Sequence, residues 1–275
     1  MNNPLLSIVI ANYNYGRFLE TAIKSVVEQD GFDNCELIIV DGGSTDNSVE
    51  IIKKYDDKIA WWVSEKDQGQ SDAFNKGFNK ASGKYLTWVN ADDIMPNGSI
   101  MKIVSELARH PKCEWFTGNF YRFSDDGKII EVAWGPHLLP KWIQTKSQPL
   151  AVFGPSTFFT KELFDRVGGM KLYQNFLMDS DLWMRFIVRG VKQRRINAFC
   201  WAFRMHEDSK TAEFGDHKLT PEQRARFEEE RKRAYEETGY RVSKINHRMI
   251  QLWRIFDGSF LKGLFLKKFF KKVVV

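Results

Sequence analysis

The chain predicts an α/β fold on a mostly parallel, Rossmann-like sheet with a mixed second half and C-terminal helices, and three observations carry that expectation. Apolar runs of strand length alternate with helix-patterned segments over the first 110 residues. Two runs end abruptly in acids: Tyr85-Leu86-Thr87-Trp88-Val89 in Asn90-Ala91-Asp92-Asp93, and Glu36-Leu37-Ile38-Ile39-Val40 in Asp41-Gly42-Gly43-Ser44-Thr45-Asp46. After Pro111 the alternation gives way to hairpin chemistry.

Leu5 to Ala11 reads as the first buried strand, followed by a helix over Arg17 to Glu28 that carries Phe18, Leu19, Ala22, Ile23, Val26 and Val27 at helical spacing. The Asp41 strand leads through a Ser44/Thr45/Asp46 cap region into a helix ending near Tyr55. A strand over Ile59 to Val63 precedes a helix from Ser71 to Ala81, which Gly83 stops, and then the Asp92 strand. Trp115 to Asn119 is an expected strand and Phe120 to Val132 a hairpin about Asp126-Gly127, after which Pro136, Pro140 and Pro149 punctuate an irregular stretch. Phe158-Phe159 precedes a short helix, Lys161 to Val167, with a Gly168-Gly169 stop. A further helix is expected from Asp179 to Gly190 with Leu182, Trp183, Phe186 and Ile187 inward. Thr220-Pro221-Glu222-Gln223 is a capping box with Pro at the first helical position, and opens a highly charged helix to Thr238, expected to be a solvated face. The expected division is a domain over 1–215, with halves 1–110 and 111–215, and a helical extension over 216–275.

Asn and Asp before Pro96 and Gly98 also suit a plain turn. Two acidic strand ends are different, because in an open parallel sheet the ligand crevice lies outside the carboxyl ends of the strands. A polar ligand or a metal is therefore expected near Asp92.

At 275 residues and 43% hydrophobic, the chain can bury a full core. Its +6 formal charge is uneven: Lys262, Lys267, Lys268, Lys271 and Lys272 sit in residues 259–275 without an acid, leaving the rest near +1. Cys35, Cys113 and Cys200 are odd in number and far apart, which argues against a disulfide framework or a zinc site and fits a reducing cytoplasm. No basic n-region precedes the first apolar run, and no apolar stretch reaches membrane-spanning length.

Five segments in order give the chain its resemblance to a family: Ser7-Ile8-Val9-Ile10-Ala11-Asn12-Tyr13-Asn14, Ile39 to Asp46, Gly69-Gln70-Ser71-Asp72-Ala73-Phe74-Asn75-Lys76-Gly77, Trp88 to Asp93, and Met178-Asp179-Ser180-Asp181-Leu182-Trp183. Over roughly residues 5 to 210 the chain resembles the inverting nucleotide-sugar glycosyltransferases of family 2, built on the GT-A fold. The resemblance implies a nucleotide-sugar site of Ala11, Tyr13, Asp41, Gln70, Asn90, Asp92 and Asp93, with Asp41 accepting from the uracil imide and Tyr13 packing on the base. The family's Asp-x-Asp metal motif falls on Asn90-Ala91-Asp92, so Asp92 is the expected ligand of Mg²⁺ or Mn²⁺ together with the substrate's diphosphate. Asn90 is left to contact ribose or a metal-bound water, and Asp93 to support the site from behind.

Asp179 matches the family's general base, in a motif where Met178 replaces the usual first Glu; Asp181 is the runner-up base or a helix cap. His206, within Arg204-Met205-His206-Glu207-Asp208-Ser209-Lys210-Thr211, resembles the late His segment that closes over the diphosphate and reaches the metal. Gly154-Pro155-Ser156-Thr157 sits where the acceptor would lie. The implied partners are a nucleotide diphosphate sugar, UDP-linked by the Asp41 match, and a glycan or lipid-linked acceptor.

Residues 259–275 mix Phe260, Leu261, Leu264, Phe265, Leu266, Phe269 and Phe270 with the five lysines, the composition of an interfacial anchor on anionic lipid or of a helix docked on its own domain. A peripheral enzyme at the inner face of the cytoplasmic membrane follows. Other classes are a non-catalytic nucleotide-binding scaffold and a sugar nucleotidyltransferase, which usually carries a Gly-rich basic loop where this chain has Asn12-Tyr13-Asn14-Tyr15-Gly16. Nucleic acid is not an expected partner, since Arg224, Arg226, Arg231 and Arg233 are balanced by Glu228, Glu229 and Glu230.

Overall fold

The computed structural model describes residues 3–134, 154–207 and 220–239. Its first half follows from β-branched apolar runs that are buried on both faces. Strands β1 (Leu6–Asn12), β2 (Cys35–Asp41), β3 (Trp61–Ser64) and β4 (Tyr85–Asn90) are parallel and lie in the order β3-β2-β1-β4. The register pairs Asn12 with Asp41 and Ala11 with Asn90, so the polar strand ends share one edge of the sheet.

Alternation along β1 and β2 splits the core in two. Leu6, Ile8, Ile10, Leu37 and Ile39 face helices α1 (Gly16–Val27), α2 (Ser48–Lys54) and α4 (Ser99–Arg109), while Val9, Ile38 and Val40 face α3 (Gln70–Lys80). Gly77 lets α3 approach β1 closely, because a Cβ there would come within 2.4 Å of Val9 Cγ1. Helix α4, which has no counterpart in the sequence expectation, buries Ile100, Ile103, Val104 and Leu107 at helical spacing.

In the second half, β5 (Trp115–Ser124) and β6 (Ile129–Ala133) form a hairpin about Asp126-Gly127, so the expected strand and hairpin merge into one ten-residue strand and its partner. Strand β7 (Thr157–Thr160) is antiparallel to both β4 and β5, and β8 (Gln193–Met205), absent from the sequence expectation, runs parallel to β5. The sheet is eight-stranded and mixed.

Helices α5 (Lys161–Val167), α6 (Met178–Val188) and α7 (Pro221–Thr238) cover the α3 face. The expected capping box at Thr220 is present. The expectation that α7 is only a solvated face is corrected: Ala234 is fully buried and Glu230 is 4% exposed. Among the described residues no helix is long and apolar enough to cross a membrane. The expectations for Pro136, Pro140, Pro149, Lys210, Thr211 and the 259–275 tail lie outside the described residues.

Candidate active site

The two polar strand ends are built differently. At the end of β4, Asn90 donates from Nδ2 to Asp93 Oδ2 at 2.8 Å and accepts at Oδ1 from Gln70 Nε2 at 3.0 Å. Asp93 is fully buried and also accepts from the Arg204 backbone N–H at 2.9 Å. Burial, then the neighbouring Asp92 carboxylate, holds the Asp93 carboxyl well above the usual range.

The end of β8 clamps this loop. Ile94 and Ala202 exchange backbone hydrogen bonds of 3.2 and 2.9 Å, and Arg204 Nε donates to Asp92 O at 2.9 Å. The Arg204 guanidinium lies between the Phe18 and Phe123 rings, 4.9 and 4.7 Å from their centroids. His206 follows, buried against Phe18 and Tyr15, with Nε2 3.0 Å from Asp92 Oδ2.

Asp41, at the end of β2, is fully buried and accepts from Asn12 Nδ2 at 2.6 Å, Ser44 N at 2.9 Å, Ser44 Oγ at 2.5 Å and Ser64 Oγ at 2.6 Å. Its carboxylate is thus enclosed by the protein's own donors. Tyr13 stands 60% exposed, held by Asn14 in the left-handed region at φ 56°, whose Oδ1 accepts from Thr45 N at 2.8 Å.

The opposite wall is positioned mainly by packing. Trp183 on α6 stacks between Trp88 and Trp115, with centroids at 5.7 and 5.9 Å, which fixes α6 over the end of β4. Asp179, in the first turn of α6, accepts from Ser180 N at 2.6 Å. Burial raises its pKa, opposed by that N–H. The segment before it is supported from α7, where Glu230 accepts from Asn175 N at 3.0 Å and Phe176 N at 2.9 Å.

Asp181 does neither job foreseen for it. Leu177 occupies the cap position, and Asp181 is fully buried inside α6, 2.6 Å from Arg185 Nη2. Arg185 in turn donates to Val167 O and Gly169 O at 2.9 and 2.6 Å, so this ion pair ties α6 to the end of α5.

A cleft of about 350 Å³ joins the walls. Of the expected site residues, Ala11, Tyr13, Gln70, Asn90, Asp92 and Asp179 line it. Asp41, Asp93 and His206 do not; they surround it from behind. Lining residues that the sequence expectation missed include Asp67, Asn175, Phe176, Trp201 and Phe203. Asp67 follows β3, the third parallel strand to end in acids, as Ser64-Glu65-Lys66-Asp67 shows, so the same strand-end logic reaches it. Gly42 leaves room beside it, since a Cβ there would lie 2.8 Å from Asp67 Oδ2. Gly154 lies between Asp179 and Trp201: a Cβ there would be 3.5 Å from Asp179 Oδ2 and 3.7 Å from Trp201 Cη2.

Among the described residues no three His, Cys, Asp or Glu side chains converge as a metal cage. The donors at hand are the Asp92 carboxylate and, 3.0 Å from its Oδ2, the Nε2 of the His206 imidazole. Such a two-donor set suits a hard divalent cation that completes its shell with water and substrate phosphate.

The family model for Glycosyl transferase family 2 matches residues 7–183. Glycosyltransferase GlyG of Streptococcus pneumoniae is 32% identical over 131 residues, 46% of this chain and 43% of that protein. An uncharacterized glycosyltransferase of Nostoc sp. is 42% identical over 103 residues, 36% of this chain and 31% of its own length. One of Rickettsia prowazekii is 27% identical over 208 residues, 67% and 59% of the two chains. This chain therefore spans less than two thirds of these relatives' length. Among solved structures, S. aureus TarS 1–349 in complex with UDP-GlcNAc superimposes with a TM-score of 0.58 at 17% identity over 75% of this chain and 60% of that one. Mannosyltransferase PcManGT from Pyrobaculum calidifontis, in complex with GDP-Man and Mn²⁺, gives 0.56 at 18% identity over 77% and 60%. What is shared with both is the GT-A fold.

Proposed function

The chain belongs to glycosyl transferase family 2, and on that premise we propose that it moves a sugar from a UDP-type nucleotide diphosphate sugar to a hydroxyl of a glycan or lipid-linked acceptor in cell-surface polysaccharide or glycolipid synthesis. The observation that supports this most is the shared cleft, about 350 Å³ in volume, with Asp92 on one wall and Asp179 on the other.

In this reading the Tyr13 ring packs on the base, and Asp41 meets the base's imide N–H by exchanging one of its four internal donors. Ala11, Gln70 and Asn90 line the path of the nucleotide, with Asp93 behind them. Asp92 and His206 would hold Mg²⁺ or Mn²⁺, which when bound supplies Lewis-acid stabilisation to the leaving diphosphate. Asp179, with its pKa raised by burial, takes the acceptor hydroxyl's proton as the oxygen bonds to the anomeric carbon. The bond from that carbon to the diphosphate oxygen breaks with its electron pair on the oxygen, so a single displacement inverts the configuration. The chain works at the inner face of the cytoplasmic membrane, with residues 259–275 as a peripheral contact.

Purified protein screened against a panel of nucleotide sugars with Mn²⁺ or Mg²⁺ should release free nucleoside diphosphate from one of them. Asp179→Asn should lower transfer by about 10²–10⁴-fold while calorimetric binding of UDP stays unchanged, and Asp92→Ala should weaken the metal-dependent part of that binding. Absence of any UDP binding would favour a scaffold, and full turnover by both variants would overturn the assignment.

A further inference from the structure

At the end of the sheet opposite the cleft, where β5 and β8 begin, lies an open basin of about 1320 Å³. Six exposed cations line it: Arg109, Lys112, Arg166, Arg189, Lys192 and Arg194. Arg195 adds a seventh, half-buried with its guanidinium 5.5 Å from the Trp134 ring centroid. The lining holds one carboxylate, Glu114, which Arg166 engages at 2.9 Å. Arg109 is engaged by Glu106. Lys112, Lys192 and Arg194 have no carboxylate partner among the described residues.

The basin thus concentrates seven cations against one lining carboxylate on a body that is itself nearly neutral. Like charges crowded together repel and weaken the fold unless a counter-charge arrives. Five of the seven are arginines, whose planar forks fit phosphate oxygens in pairs. The basin is too large for one phosphate. Apolar groups also line the basin among the cations, the exposed Pro111 and the half-buried Val191. A purely soluble polyanion has no use for those.

We propose that this basin docks on an anionic phospholipid surface, its guanidinium groups on headgroup phosphates. Stable membrane attachment takes two weak signals, and the same chain carries a second one in the lysines of residues 259–275. The inference does not depend on the transfer reaction. If the reading of the cleft also holds, the acceptor's reactive end stands off the headgroups by roughly 40 Å, since β8 begins at the basin and ends at Asp92 and a strand advances about 3.3 Å per residue.

The test is co-sedimentation of the full chain with phosphatidylcholine vesicles, with and without phosphatidylglycerol. Binding should require the anionic lipid and weaken with added salt. Each basic residue near an anionic surface contributes about fivefold in affinity, so the Lys112→Glu, Arg189→Glu, Lys192→Glu, Arg194→Glu combination should lower it by about a hundredfold or more with an unchanged melting profile. Replacing the five tail lysines with Gln should leave a basin-dependent fraction that the fourfold change then removes. Unchanged vesicle binding by the fourfold variant would overturn the proposal. So would a variant that keeps vesicle binding and loses only binding to inorganic polyphosphate, which would assign the basin to a soluble ligand.

Discussion

The two walls of the cleft reach the same precision by opposite means. The Asp92 wall is a polar clamp in which Arg204 supplies a backbone N–H to Asp93 and a guanidinium N–H to Asp92 O. The Asp179 wall rests on aromatic packing, with Trp183 stacked between Trp88 and Trp115. A metal-side acid benefits from hydrogen bonds that orient it. A general base works best poorly solvated, so that its proton affinity rises toward working pH, and packing provides that with only the Ser180 N–H on the Asp179 carboxylate.

The comparison breaks most severely at Trp183. Trp183→Ala removes the ring that seats α6, and should cost about 3–5 kcal/mol in denaturant unfolding, with turnover falling more than UDP affinity. Arg204→Ala tests the other wall. It loses the hydrogen bond to Asp92 O and both ring contacts, for about 1–3 kcal/mol, and should speed hydrogen exchange at Ile94 and Ala202 while the Asp179 wall stays protected.

The smallest effect on stability, and the sharpest discriminator, is Asp179→Asn. The folded-state pKa of Asp179 is raised by burial, so the carboxyl's contribution to stability is complete below the unfolded pKa, about 3.9, and is lost as pH rises through the folded value. The Asn variant should therefore melt with the parent in acid and above it at neutral pH. Turnover of the parent should in turn collapse on acidification at a higher pH than an ordinary Asp would give.

Much of this was legible in local pattern. Strands β1, β2 and β4 each announce themselves by apolar runs that stop at polar residues, and the stops of β1 and β4 line the cleft. Strand β8 was not legible, although Ile196, Ala198, Cys200 and Ala202 alternate inward, because its run opens on Gln193-Arg194-Arg195 and its inward residues are mostly small. Asp181 looks like a cap by position, and only the fold shows Arg185 taking its charge. Glu230 is invisible for another reason: its partners are the backbone N–H groups of Asn175 and Phe176, which no side-chain pattern marks.

The clamp on Asp92 has a consequence for how the molecule comes into being. Its contacts join residues 111, 112 and 114 positions apart, so a nascent chain that has emerged only through β4 lacks the Arg204 and His206 partners of the Asp92-Asp93 loop. Pairing of such high sequence separation comes late and slowly. The Asp92 wall is therefore completed only once β8 has been delivered, whereas Asp41 and its donors Asn12, Ser44 and Ser64 are all in place before β4.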